Sequence, residues 1–227
     1  MELYKLSDGT LNTYARSLFV SGNDVYVVGS EYNGTKSIAK VWKNGVSAPL
    51  TDGVNSSVAS TVFASGSDVY VGGMENIDGA DRGKIWKNGN LYYTFPKNTI
   101  SYVEAIYLQG TDVCAAGDDQ YWINPTSAVP TVVKIPESYI SSLFVSGSDV
   151  DAAGDDYGGT KVIAKVWKNR TATKLSDEES WVNSVFVWNN KVFAAGYEGS
   201  SVVWKDGKPT KLADKGDAYS VFVVDRP

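Results

Sequence analysis

One phrase limits what this chain can fold into. Ser21-Gly22-Asn23-Asp24-Val25-Tyr26-Val27-Val28-Gly29 is followed, after a loop, by Ala39-Lys40-Val41-Trp42-Lys43-Asn44-Gly45. Imperfect copies of that pair run to the C-terminus. The tryptophan returns as Trp86, Trp122, Trp167 and Trp204, at intervals of about 36–45 residues, which is the period of four-stranded repeat units. No stretch shows a helical 3.6-residue period, and glycines punctuate the chain throughout.

Each repeat reads as four strands. Ser17-Leu18-Phe19-Val20 is a short apolar first strand, and its pattern returns at Val62-Phe63, Ile106-Tyr107, Leu143-Phe144, Val185-Phe186 and Val221-Phe222. The turn Gly22-Asn23-Asp24 leads into a second strand, Val25–Val28, apolar on both sides as a sheet covered on both faces requires. The third strand carries Val41 and Trp42. Asn44-Gly45 supplies the positive φ angles of a type I′ hairpin into the fourth strand, Ala48-Pro49-Leu50-Thr51-Asp52-Gly53. That last phrase returns as Thr173-Lys174-Leu175-Ser176-Asp177 and Thr210-Lys211-Leu212-Ala213-Asp214. The third repeat is degenerate, with Asn124-Pro125 at the hairpin turn. The fourth has Asn169-Arg170, less suited than Gly to left-handed backbone.

The expected fold class is all-β: a β-propeller of four-stranded antiparallel blades, with five complete repeats and an incomplete sixth. The alternative is a five-bladed ring with displaced ends. A single domain spans 1–227, with a fourth-strand remnant at 2–10, repeats beginning near 15, 58, 102, 140 and 182, and a final strand at 218–224. An incomplete closing blade would hold a first strand from the C-terminus and a fourth strand from the N-terminus. Those two cannot pair across the room left for two missing strands. The ends then belong to a longer protein, rearrange, or take a second chain into the gap, which makes self-association through open edges an expectation.

Composition removes several functions. A net charge of -5, with lysines spread through all the repeats, argues against nucleic acid as a partner. No run of 18 apolar residues is present, so membrane insertion is not expected, and Met1-Glu2-Leu3-Tyr4 does not read as a signal peptide. The chain has no histidine, which excludes His-based acid–base catalysis, Ser-His-Asp triads and ordinary zinc sites. Its single cysteine, Cys114, sits in an apolar strand pattern and reads as a small buried hydrophobe.

The units SGNDVYVVG…AKVWKNG…LTDG and SGSDVDAAG…AKVWKNR…LSD resemble the tandem tryptophan-bearing repeats of bacterial secreted and surface proteins. The resemblance covers nearly the whole chain. It implies a β-propeller, distantly kelch-like in its second-strand glycines, and an extracellular or cell-surface setting. In such proteins a short SIFV-like segment often closes the repeat array. Ser220-Val221-Phe222-Val223 matches it, implying a natural C-terminus and a shortened N-terminus. The resemblance brings no established catalytic residues.

Candidate site residues follow from the first strand. The position two before its apolar pair is the most variable between repeats: Arg16, Ser60, Glu104, Ser141, Asn183 and Tyr219. If first strands line a central channel, these form a polar ring that either solvates the channel or hydrogen-bonds a sugar or peptide end, with Tyr219 as a stacking face. The loops after the second strand are acidic (Glu31, Glu75, Asp118, Asp119, Asp155, Asp156, Glu198) and read as solvated charge. Asn76-Ile77-Asp78-Gly79-Ala80-Asp81 only faintly suggests a calcium loop. The repeat tryptophans fit packing between neighbouring blades, whereas Trp181 and Trp188 stand outside the pattern. No metal and no cofactor is expected. The reading is a non-catalytic binding or interaction scaffold for a glycan or a protein. A carbohydrate-binding lectin is the alternative, and a glycan-active enzyme, which would need paired carboxylates, ranks below both.

Overall fold

A computed structural model describes residues 4–224. Those residues form strands and no helix, in five four-stranded antiparallel sheets. Sheet one holds β1 (Thr13–Ser21), β2 (Asp24–Tyr32), β3 (Ser37–Lys43) and β4 (Val46–Pro49). Sheet two holds β5 (Ser57–Ser65), β6 (Asp68–Ile77), β7 (Ala80–Lys87) and β8 (Asn90–Thr94). Sheet three holds β9 (Ala105–Gln109), β10 (Asp112–Gly117), β11 (Gln120–Ile123) and β12 (Thr131–Lys134). Sheet four holds β13 (Ser138–Ser146), β14 (Asp149–Asp156), β15 (Ile163–Lys168) and β16 (Thr171–Lys174). Sheet five holds β17 (Trp181–Trp188), β18 (Lys191–Tyr197), β19 (Ser201–Lys205) and β20 (Lys208–Lys211). Strands neighbour one another in sequence order within every sheet. The chain divides into two compact units: one runs to Ala115 and takes in Ile123–Pro130, the other comprises Ala116–Trp122 and the chain from Thr131 onward.

The recurring Asp and Lys-Asn of each repeat fasten two hairpin turns to each other. Asn44, in left-handed backbone (φ 49), accepts the Val25 N–H at 2.8 Å and donates to Asp24 at 2.9 Å. Lys43 meets the same carboxylate at 2.7 Å. Asn88 with Asp68, Asn124 with Asp112, and Asn169 with Asp149 repeat the hydrogen-bonding pattern. In sheet five the roles shift, and Asp206 accepts the Val192 N–H. The expected type I′ geometry is present at Asn44-Gly45, and at Asn169-Arg170 the arginine itself takes φ 78.

The first strands of sheets one, two, four and five each carry a β-bulge where they meet a glycine. The register slips between Ala15 and Ser17, Ala59 and Thr61, Ile140 and Ser142, and Val182 and Ser184. Opposite the residue before each slip stands Gly29, Gly73, Gly154 or Gly196. A Cβ on any of these would run into the carbonyl of the residue before the bulge. A bulge bends and twists its strand, and the second-strand glycine gives it room.

The repeat tryptophans are buried in all five sheets. In the first unit Trp86, Ala59, Val62 and Val71 of sheet two form one core with Val28, Ala39 and Leu50 of sheet one. In the second, Trp204, Val182 and Val185 of sheet five pack with Ala153, Val166 and Leu175 of sheet four. First-strand aromatics run beside these cores. Phe19, Phe63 and Tyr107 follow one another at 4.6 and 4.8 Å between ring centroids. Phe144, Phe186 and Phe222 do so at 4.9 Å, separations at which ring pairs attract beyond simple burial. Cys114 is buried, and burial pushes its thiol up to about 12.

Both terminal segments lie outside the ladders. Residues 4–10 form no strand, yet Leu6 accepts the Trp42 indole N–H at 2.9 Å. The segment expected as a final strand, 218–224, also pairs with no ladder. It is held by Val221 N–H to Ser184 Oγ at 3.3 Å and by the Phe186–Phe222 contact. Residues 2 and 3 of the N-terminal remnant lie outside the described residues, as do residues 225–227.

Candidate functional site

The proposed polar ring coincides with the bulges. Arg16, Ser60, Ser141 and Asn183 are each the extra residue at which a first strand slips register. Three of them face a carbonyl of the following repeat. The Ser60 hydroxyl shares its hydrogen between Gly72 O, at 3.1 Å, and Val103 O. Ser141 does the same between Ala153 O at 3.2 Å and Val182 O at 2.6 Å. Asn183 donates to Ala218 O at 3.1 Å. These hydrogen bonds tie one repeat to the next, and each is worth about 1 kcal/mol net.

The other ring positions differ. Arg16 is exposed, and Glu104 is half-buried just before β9. Both act on Tyr102, whose hydroxyl is pushed up to about 12 by burial, drawn down by Arg16 and raised further by Glu104 and Asp81. Tyr219 is 75% exposed. Within the first unit, Arg16 and Glu104 therefore share a neighbourhood. In the second, Ser141 and Asn183 are engaged internally while Tyr219 faces solvent.

The acidic loops are less solvated than the sequence suggests. Glu31, Glu75 and Asp156 pair with Lys40, Lys84 and Lys165, the lysine of each Ala-Lys-Val-Trp-like phrase. Lys84 and Glu75, at 2.9 Å, are both nearly buried. The faint calcium loop is a tight hairpin, with Asp78 and Gly79 at positive φ and Asn76 donating to Asp81 at 2.7 Å. Among the described residues no group of three or more Asp, Glu, His or Cys is placed to hold a metal ion. Trp181 stacks on Tyr197 at 4.1 Å and donates its indole N–H to Asp217, so one of its faces is occupied.

Asp155 gives a pH-dependent prediction. Its carboxylate accepts the Val182 N–H at 3.0 Å, but burial dominates and raises its pKa to about 6. The native state therefore holds this proton more tightly than the unfolded chain. Its contribution to stability is largest below pH 3.8 and is lost as pH rises to about 6. Asp155→Asn keeps an acceptor oxygen and removes the charge. Thermal melts should show the variant more stable by about 1–2 kcal/mol at pH 7.5, after allowance for solvent screening, with the gain vanishing near pH 4.

Sheet one presents a face that its counterparts cover. Leu18 and Val20 are 60% and 55% exposed, against 5% for Val62 and 5% for Ala64 at the matching positions of β5. Ala15 is exposed where Ala59 is buried. Leu6, Ala15, Leu18 and Val27 line a shallow depression of about 270 Å³.

No known family model and no curated protein matches the chain. Among solved structures, it is similar to Kluyveromyces lactis Hsv2 at a TM-score of 0.41 and 9% identity, over 86% of this chain. The match spans 61% of that protein's chain.

Two features escaped the sequence reading. The open face of β1 could not be seen, because Leu18 belongs to the same apolar pattern as its buried counterparts. Asp151 did leave a signal. The third residue of the second strand is Tyr26, Tyr70, Cys114 and Phe193 in the other repeats, and a carboxylate at that place breaks the pattern.

Proposed function

We propose that this chain is a non-catalytic binding scaffold of the β-propeller type. Its sheets act as blades, its first strands line a channel, and the closing blade is incomplete. The partner is a β-hairpin of the same repeat chemistry carried by another protein, and it docks on the open face of sheet one. The observation that carries this reading is the contrast between exposed Leu18 and Val20 and their buried counterparts. An apolar patch of this kind, set beside polar surface, is characteristic of interaction sites.

The chemistry of the occupant follows from the interface between sheets one and two. There Val28, Ala39 and Val41 of a second–third strand hairpin share one core with Ala59, Val62 and Val71, and Leu50 and Trp86 belong to the same core. On the open face Ala15, Leu18 and Val27 are the matching acceptors. Leu6, bonded through its carbonyl to Trp42, already lines the depression beside Ala15, Leu18 and Val27. What the face lacks is the hairpin. The sugar-binding alternative has weaker support, because Ser60, Ser141 and Asn183 spend polar atoms on neighbouring backbone.

A synthetic peptide of residues 24–43, titrated by calorimetry, tests the reading. Saturable binding is expected, weakened at least about tenfold by Leu18→Asp, since a buried unpaired carboxylate replaces an apolar contact. Absent binding, or binding indifferent to Leu18→Asp, overturns the hairpin. Sedimentation on the same samples reports the other occupant. A dimer that Leu18→Asp dissociates would assign the face to a second copy of the chain.

A further inference from the structure

The repeat departs from its own rule once in a way that leaves a hole. The third residue of the second strand is aromatic in three sheets, with a third-strand lysine near its ring. Lys43 lies 5.5 Å from the Tyr26 centroid, Lys87 5.0 Å from Tyr70, and Lys205 5.5 Å from Phe193. In sheet four the residue is Asp151, paired across the ladder with Lys168. That lysine is committed elsewhere, to Asp149 in the turn at 2.7 Å.

Asp151 is 2% exposed, and its Oδ1 has no hydrogen-bond partner. Beside it lies a cavity of about 280 Å³, bordered by Val166, Lys168, Leu175, Val192 and Asp206. In sheet one the Tyr26 ring packs in the same setting, against the core that includes Val41 and Val69; Val166 and Val192 are their counterparts. The cavity is thus the space of a missing ring, with a carboxylate at its end. A carboxylate oxygen held out of water needs a donor, and a charged donor meets that need best. The cavity size, at the small end for ligand pockets, limits the guest to a compact molecule.

We propose that this cavity binds a compact organic cation, a primary ammonium on a small aromatic or aliphatic body. The ammonium donates to Asp151 Oδ1. The body takes the place of the absent ring against Val166, Leu175 and Val192. The site lies in the second unit and shares no residue with the hairpin face, so either can fail without the other. Burial raises the Asp151 carboxyl above the ordinary value, Lys168 opposes the shift and Asp149 adds to it. A bound ammonium favours the ionised form, so affinity should be full above the carboxyl's raised pKa and fall as pH drops through it. The charged groups facing the site are Lys168, Asp149 and Asp206.

Calorimetric titration with tyramine, and with its neutral counterpart 4-ethylphenol, decides the matter. Tyramine should saturate the protein, and 4-ethylphenol should bind at least about tenfold more weakly. Asp151→Asn should weaken tyramine binding by a similar factor. Asp151→Tyr, which restores the ring used by the other repeats, should abolish it while the variant melts no lower than the native protein. That melt keeps the loss from being mistaken for misfolding. Lack of saturation by tyramine at millimolar concentration overturns the proposal. So does equal binding of the neutral compound, or binding unchanged by both substitutions.

Discussion

Gly73→Ala should destabilise the protein by about 4 kcal/mol or more, among the largest effects a single methyl can have. Gly73 stands on β6 opposite Ala59, at the β5 bulge. An added Cβ would overlap the Val58 carbonyl oxygen and lie 2.9 Å from Ala59 Cα. Both obstacles are backbone, so no rotamer change relieves them. The bulge would have to open, and opening it would displace Ser60, whose hydroxyl reaches the Val103 carbonyl. A fall in melting temperature of about 10 °C or more is expected for a chain of this size. Gly79→Ala is the control. Gly79 sits in a hairpin turn where an added Cβ meets nothing within 4 Å, and only its φ of 76 opposes one. It should lose about 1 kcal/mol. If the two variants melt alike, the bulge is more pliable than its geometry implies.

These glycines show which parts of the structure could be read in advance. Strand order, hairpin turns and buried tryptophans depend on neighbours a few residues away, so the phrases around Asp24, Trp42 and Asn44 encode them locally. The bulge also left a trace, a polar residue two before each apolar pair and a glycine in the next strand. For three of these residues the structure adds a second role to the one the sequence suggests. Ser60, Ser141 and Asn183 each donate to a carbonyl of the next repeat, a contact that no local pattern announces. Similarly, Glu31, Glu75 and Asp156 read as loose loop charge until the hairpin register sets each against a third-strand lysine. That register depends on loop lengths that vary from repeat to repeat. The open face of β1 is a matter of what lies against Leu18. No local pattern distinguishes an apolar residue that has a covering sheet from one that lacks it.

Trp204→Ala should cost about 3–5 kcal/mol, the range for truncating a large buried aromatic. The ring is fully buried among Val166, Leu175, Val182, Val185 and Val202, and alanine would leave a cavity where two sheets meet. Trp204→Phe separates packing from polarity. The Trp204 indole N–H has no acceptor, so phenylalanine removes an unsatisfied donor along with some buried area, and the two effects partly cancel. Trp42 is the contrast, since its N–H is satisfied by Leu6 O at 2.9 Å. Trp42→Phe loses that bond and loosens residues 4–10 from the sheet. Denaturant melts should therefore rank Trp204→Phe closest to the native protein, Trp42→Phe below it by about 1 kcal/mol, and Trp204→Ala far below both. The reverse order of the two phenylalanine variants would mean that the N-terminal segment contributes little to sheet one. Trp42 would then be held by its own sheet, and the docking face on β1 would extend across the ground that Leu6 now covers.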